Sequence, residues 1–408
     1  MPFFSDRMKD KQIETLIKNE TKRQKSVINL IPSENYVSKD VLTALGSIFD
    51  NKYAEGYPTK RYYGGQKYTD QLELLCQDRA RKAFKLSKDL WHVNVQPHSG
   101  SPANLSVYLG LVPLGGKIMG MTLTAGGHLT HGQKVSITGK VWQQVPYGVD
   151  PKTERLDYVA LKELAVKEKP ALIVAGFTAY PQMVDFKKFR EIADACGAFL
   201  MVDMSHFAGL VAGGVYNSPF EYADVVTTTT HKTLRGPRSA IVFSRKDKKI
   251  GEKNISDLID KAVFPGLQGG PHLGQIAGVA VALKEAATPA FKQYAKQVKK
   301  NAKALADELM RLGWHVVSGG TDSHLVLVDT WMNGSRNANG VGGISGKEAE
   351  ARLEKNGIIC NKNTIPSETR SPFDPSGIRL GSPAETTRGK KEKDFVKIAQ
   401  TIDKVLRK

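Results

Sequence analysis

The chain has 408 residues, 40% of them hydrophobic and 25% charged, and carries a formal net charge of +18. That is the profile of a soluble globular protein of roughly two or three domains with ample material for a core. An uninterrupted apolar run of about eighteen residues is missing, which excludes a membrane-spanning helix, and Met1 to Lys9 lack an apolar signal core. Cys76, Cys196 and Cys360 are odd in number and far apart, so a reducing, cytoplasmic compartment without disulfides is expected. The lysines are spread along helical stretches, as in Lys296, Lys299, Lys300 and Lys303, or gathered at Lys390, Lys391 and Lys393. With no aromatic RNA-binding motif beside them, they read as a solvated surface, and neither a nucleic-acid nor a membrane partner is expected.

Residues 6–24 read as an amphipathic arm, with Ile13, Leu16 and Ile17 on one face and Ser5 as its N-cap. So narrow a stripe makes no core of its own and is expected to pack on another part of the protein or on a second subunit. Residues 30–75 are loop-like and crowded with tyrosines and acids, in Pro32-Ser33-Glu34-Asn35-Tyr36, Tyr53-Ala54-Glu55-Gly56-Tyr57-Pro58 and Arg61-Tyr62-Tyr63-Gly64-Gly65. Loops of that composition bind more often than they merely connect. A helix over 66–86 and a strand over 91–96 lead to His98-Ser99-Gly100-Ser101-Pro102, where Ser101 suits an N-cap and Pro102 a first helical residue. Free amides at such a helix start form an anion site.

His128-Leu129-Thr130-His131 has metal-ligand spacing, but no further ligand follows at a useful distance, so no metal is expected. From 171 onward, short apolar strands alternate with helices, and Asp185 and Gly197 punctuate one βαβ unit that ends at Asp203. A β-branched strand over 225–230 runs into His231 and Lys232 and breaks at Gly236-Pro237. Pro289 marks a junction. Beyond it a long helix over about 290–312, strands at 314–318, 324–329 and 357–360 and two more helices read as an α+β unit. The expected organisation is an arm over 1–30, a large α/β domain over 31–288 with a mostly parallel sheet covered by helices, and a small domain over 289–408.

Three strand ends together suggest one cofactor. Pyridoxal phosphate needs an anion site, a carboxylate for its ring nitrogen and a lysine for its aldehyde. Ser99-Gly100-Ser101, Asp203 and Lys232 supply these, each at the carboxyl end of a strand. A desolvated lysine there loses its proton and becomes a nucleophile. Arg379, between apolar residues and glycines in Gly377-Ile378-Arg379-Leu380-Gly381, offers a fork for a substrate carboxylate.

These motifs, with Gln96-Pro97-His98-Ser99-Gly100-Ser101, Gly126-Gly127-His128-Leu129-Thr130-His131-Gly132 and Thr229-Thr230-His231-Lys232-Thr233-Leu234-Arg235-Gly236-Pro237-Arg238, resemble serine hydroxymethyltransferase over nearly the whole chain. The resemblance implies a fold-type-I pyridoxal phosphate enzyme of the aminotransferase-like class. It would interconvert serine plus tetrahydrofolate with glycine plus methylenetetrahydrofolate. It also implies a homodimer with active sites shared between subunits, and leaves dimer versus tetramer open.

By that similarity Lys232 binds the cofactor covalently and Asp203 holds its ring nitrogen. His128 stacks on the ring, and Thr178 and His206 touch its hydroxyl side. Ser99, Gly100 and Ser101 hold the phosphate, while Gly269, Gly270 and Tyr53 come from the partner. Ser33 and Arg379 bind the substrate carboxylate. Glu55 handles protons near the hydroxymethyl group, and Tyr63, Thr229 and His231 join the catalytic set. Tyr62, Tyr63, Leu123, Gly127, Leu129, Asn363 and Phe373 line the folate side. Aromatic surroundings are expected to favour the neutral form of Glu55.

The chain departs from the family pattern at Pro102, Thr178, Pro181-Gln182, Ser205, where alanine is usual, and Gly274, where histidine is usual. A folate-independent aldolase or transaldolase on β-hydroxy amino acids, or an α-methylserine-type variant, is the competing reading. Glu55, Tyr62, Tyr63 and Asn363 argue against a loss of folate.

Overall fold

A computed structural model describes residues 8–408. Its centre is a seven-stranded sheet of β1 (Trp91–Asn94), β2 (Lys117–Met121), β3 (Gln143–Tyr147), β4 (Leu172–Gly176), β5 (Phe199–Asp203), β6 (Val225–Thr229) and β7 (Ala240–Arg245). The spatial order is β1-β7-β6-β5-β4-β2-β3. Only β7 runs against its neighbours, pairing antiparallel with both β1 and β6, so the other six strands share one direction.

A sheet of this kind must be covered on both faces, and the alternation of side chains divides the coverage. Ile173, Leu200, Val202 and Val226 pack beneath the helices Lys67–Phe84, Phe186–Cys196 and Leu273–Ala286. Leu172, Val174, Met201 and Val225 face the helix Gly100–Leu111 and Ile255 and Ile259. The chain leaves β1, β2, β4, β5 and β6 along one edge, which is where an open α/β sheet builds its site.

A second, antiparallel sheet has the order β8-β9-β11-β10, from β8 (His315–Val316), β9 (Leu325–Asp329), β10 (Asn361–Asn363) and β11 (Gly377–Gly381). Its core joins Val326, Val328, Ile378 and Leu380 to Phe395, Ile398 and Ile402 of the last helix, Glu392–Arg407. The helix Pro289–Arg311 belongs to both cores. Phe291, Ala295 and Val298 pack into the first, Leu305 and Leu309 into the second. Pro289 stands at the junction between the helix Leu273–Ala286 and this one and opens the latter, which Thr288 caps by accepting the Phe291 N–H.

Two helix starts differ from the sequence expectation. The arm helix, Lys11–Ser26, is capped by Asp10, which accepts from the Gln12 and Ile13 amides; Ser5 lies outside the described residues. Ile13, Leu16 and Ile17 are exposed on it, and no residue of the helix is buried. After β1 the helix starts at Gly100 with Ser99 extended at the N-cap, so Ser101 and Pro102 stand inside the first turn. Pro102 therefore removes an N–H that has no intrahelical partner in any case. All three cysteines are free. Among the described residues no helix is long and apolar enough to cross a membrane.

Candidate active site

The strand ends converge on a cavity of about 350 Å³ whose lining includes Ser99, Gly100, Asp203, Thr229, His231 and Lys232. Ser33, Ser101, His128, Thr178 and His206 line it too. Arg379 stands beside it on β11.

Asp203 ends β5 and is buried. Its Oδ2 accepts from His131 Nε2 at 3.1 Å and Asn104 Nδ2 at 2.9 Å, and its Oδ1 from the Ser205 amide and hydroxyl. Burial alone would raise its pKa, but the donors from His131, Ser205 and Asn104 outweigh burial and hold it well below the usual carboxylate range. The carboxylate is thus a fixed negative charge. His131 is spent on it, and His128 Nδ1 lies 2.7 Å from Thr130 Oγ1, so the His-x-x-His pair serves this network.

Lys232 follows β6 by three residues and is 8% exposed. Its Nζ has no hydrogen-bond or ion-pair partner among the described residues, while Asn35 Nδ2 donates to its carbonyl at 3.0 Å. Burial lowers its pKa to about 8, with Asp203 opposing that shift. Burial also drives His128 down to about 4 and His231 to about 3, and keeps His206 well below the ordinary histidine range. The imidazoles around the amine are therefore neutral near pH 7. His206 Nδ1 lies 3.2 Å from His324 Nε2.

Arg379 is 8% exposed, and its pKa is lowered to about 10 by desolvation. It donates to Asn361 Oδ1 at 3.1 Å and to the Thr178 carbonyl at 2.7 Å, and no carboxylate among the described residues pairs with it. A buried guanidinium without an anion is costly. It suits a ligand that brings a carboxylate.

Fit to pyridoxal phosphate rests on what these atoms lack. Thr229 Oγ1, His231 Nδ1 and His206 Nε2 are buried without a hydrogen-bond partner. The helix start at Ser99–Ser101 supplies free amides, and a Cβ on Gly100 would come 2.7 Å from Thr229 Cγ2, so only glycine keeps the backbone this close. Orphaned donors, free amides, an unpaired amine and an anionic carboxylate in one cavity match the phosphate, aldehyde and ring nitrogen.

Tyr53, Glu55, Tyr63, Gly269 and Gly270 assemble elsewhere in the same chain, and none lines the cavity. The Tyr53 hydroxyl donates to Glu55 Oε1 at 3.1 Å, which pushes the Tyr53 phenol pKa up. Tyr53 meets Tyr63 edge-on with centroids 5.2 Å apart. A Cβ on Gly269 would lie 3.1 Å from Glu55 Oε1, and one on Gly270 3.2 Å from the Tyr53 ring. Tyr62 packs edge-on against Phe264 at 5.7 Å and is 74% exposed.

None of the other residues expected on the folate side lines the cavity. Leu123 accepts through its carbonyl from Thr364, the neighbour of Asn363. Thr178 Oγ1 donates to the Gly127 carbonyl at 2.8 Å. Leu129 and Phe373 are exposed, Phe373 at 84%.

Sequence reasoning gave no role to Asn104, His131, Arg238, His324 or Asn361. Arg238 stands inside a quoted motif and Asn104 two residues beyond another, and both line the cavity. Asn361 reaches Arg379 through the pairing of β10 with β11, a long-range register with no local signal.

A family model described as serine hydroxymethyltransferase matches residues 7–402. Members of that family are fold-type-I, pyridoxal phosphate-dependent transferases of one-carbon metabolism that use tetrahydrofolate. With the match running through every strand end of the cavity, the chain belongs to the serine hydroxymethyltransferase family.

Proposed function

We propose that the chain transfers the hydroxymethyl carbon of serine reversibly to tetrahydrofolate, giving glycine and 5,10-methylenetetrahydrofolate. The observation that carries this reading is the cavity in which an unpaired Lys232 and the ionised Asp203 meet beside an Arg379 that lacks a carboxylate.

Bound pyridoxal phosphate supplies an aldehyde for amine capture and a protonated ring that withdraws electrons from the substrate α-carbon. Lys232 is the covalent anchor, since its desolvated amine reaches the neutral, nucleophilic form near pH 8. Asp203 keeps the proton on the ring nitrogen. Neutral His128 offers a flat face with no competing charge. Ser99, Gly100 and Ser101 bind the phosphate through backbone amides and hydroxyls, joined by Thr229 and His231. Thr178 and His206 line the ring's hydroxyl side. Arg379, with Ser33, clamps the substrate carboxylate and thereby sets which α-substituent faces the proton-handling groups.

Those groups are Glu55, Tyr53 and Tyr63, which we assign to the site of a second subunit together with Gly269 and Gly270. The support is their mutual packing away from their own chain's cavity, and the exposed apolar face of the arm, which a homodimer would cover. Glu55 would take and return the proton of the serine hydroxyl. Tyr62, Leu123, Gly127, Leu129, Asn363 and Phe373 would receive folate at the cavity mouth.

The test is the visible spectrum of the cofactor-loaded protein, recorded with glycine and then with tetrahydrofolate added. A new long-wavelength band that grows strongly only with folate present supports the reading. A band with glycine that ignores folate favours the aldolase, and a colourless protein removes the cofactor assignment.

A further inference from the structure

Four of the chain's own donors converge on the Asp203 carboxylate, two on each oxygen. Three of these donors are fixed. His131 Nδ1 accepts from the His128 amide at 3.3 Å, which assigns the proton to Nε2, facing Asp203. Asn104 is oriented by Thr227, whose hydroxyl donates to its Oδ1 at 2.7 Å. The Ser205 amide is backbone.

The fourth donor is a rotor, the Ser205 hydroxyl, 2.6 Å from Oδ1. Its oxygen also accepts the Thr229 N–H at 2.9 Å. The ladder between β5 and β6 ends at Asp203 and Thr227, and Met204 donates once more to the Thr227 carbonyl. The Thr229 amide therefore finds a side chain where a strand carbonyl would otherwise stand. Ser205 is buried and lines the cavity. One hydroxyl thus links the carboxylate to the strand that delivers Lys232, and alanine at 205 would break both bonds at once.

We propose that Ser205 is a positioning residue, whose hydroxyl fixes the plane of the Asp203 carboxylate against the end of the lysine-bearing strand and so sets how tightly a protonated ring nitrogen is held. The inference rests on the pyridoxal phosphate reading of the cavity. The competing possibility is that the hydroxyl only satisfies the Thr229 amide and steadies the fold.

A double-mutant cycle on the pyridoxal phosphate dissociation constant of the apoprotein, followed by quenching of protein fluorescence, separates the two. Ser205→Ala is expected to weaken binding about tenfold in the parent, the worth of one charge-assisted hydrogen bond. In the Asp203→Asn background the same change is expected to cost less than about twofold, and Ser205→Thr, which keeps the hydroxyl, to stay within about threefold of the parent. Equal weakening in both backgrounds, or none in either, overturns the proposal. Should Ser205→Ala fail to fold, Ser205→Cys keeps the volume with a much weaker donor and enters the same cycle. A parent that binds pyridoxal phosphate tightly while the cycle shows no coupling defeats this inference alone; a parent that does not bind it defeats the cofactor reading as well.

Discussion

Arg379 donates from Nη1 to the Thr178 carbonyl at 2.7 Å, pinning a guanidinium on the four-stranded sheet to the loop that leaves the seven-stranded one. One bond thereby aligns the proposed carboxylate clamp with the wall of the cavity. Arg379→Ala is expected to raise the KM for serine by about a hundredfold, the range for a buried charged hydrogen-bond pair. Arg379→Lys should recover only part of that loss, because an ammonium lacks the fork. A serine KM unchanged in both variants would place the carboxylate elsewhere.

Gly100 has no room for a side chain. Gly100→Ala would drive its Cβ to 2.7 Å from Thr229 Cγ2, so either the cradle or the strand end before Lys232 must shift. We expect cofactor affinity to fall by about tenfold or more, with the apoprotein still folded, since strain of roughly 1–3 kcal/mol is local. Equilibrium dialysis against pyridoxal phosphate measures this, and an unaltered affinity would move the phosphate site away from Ser99–Ser101.

Lys232 carries its penalty in the apoprotein. Burial lowers its folded pKa from 10.5 to about 8, so the unfolded chain binds the proton more tightly. The sign follows: the destabilisation is full below pH 8 and disappears as pH rises from 8 to 10.5. Lys232→Met is therefore expected to stabilise the apoprotein at pH 7 by about 3 kcal/mol in urea unfolding, with the gain vanishing toward the upper end of that window. Capture of the cofactor by the parent should speed up through about pH 8 and then level off. Equal stability of the two proteins at pH 7 would mean that the amine is not desolvated.

Glu55 sits with Tyr53 and Gly269, outside the cavity of its own chain. Lys232→Ala and Glu55→Gln should each be inactive alone. Dimers reassorted from equal amounts should recover about a quarter of parental activity, because half are mixed and each mixed dimer holds one intact site. No recovery would mean that Glu55 and Lys232 act within one chain.

How much was legible beforehand depended on the range of the signal. Lys232 and Asp203 could be read because each ends a strand that its own residues announce, β-branched at 225–229 and apolar at 199–203. Asp185 and Gly197 likewise fixed both ends of the helix Phe186–Cys196. The cap after β1 was misplaced by two residues, since Ser99 and Ser101 have equal local claims and the backbone entry angle decides between them. The network around Asp203 was not legible. Asn104 and His131 reach it across 99 and 72 residues of chain, and such pairings follow from sheet order and not from any neighbouring residue. The resemblance implied that Tyr53, Gly269 and Gly270 serve a partner's site but gave Glu55 no subunit, and that Glu55 joins Tyr53 and Gly269 is visible only once the loops fold together.

The most direct test of the account is to give the cofactor-loaded protein serine labelled at its hydroxymethyl carbon, with and without tetrahydrofolate, and to count glycine and labelled methylenetetrahydrofolate. The account expects the two products in equal amounts, with glycine formation collapsing when folate is left out. Glycine formed at the same rate without folate would contradict it and point to an aldolase built on the same cavity.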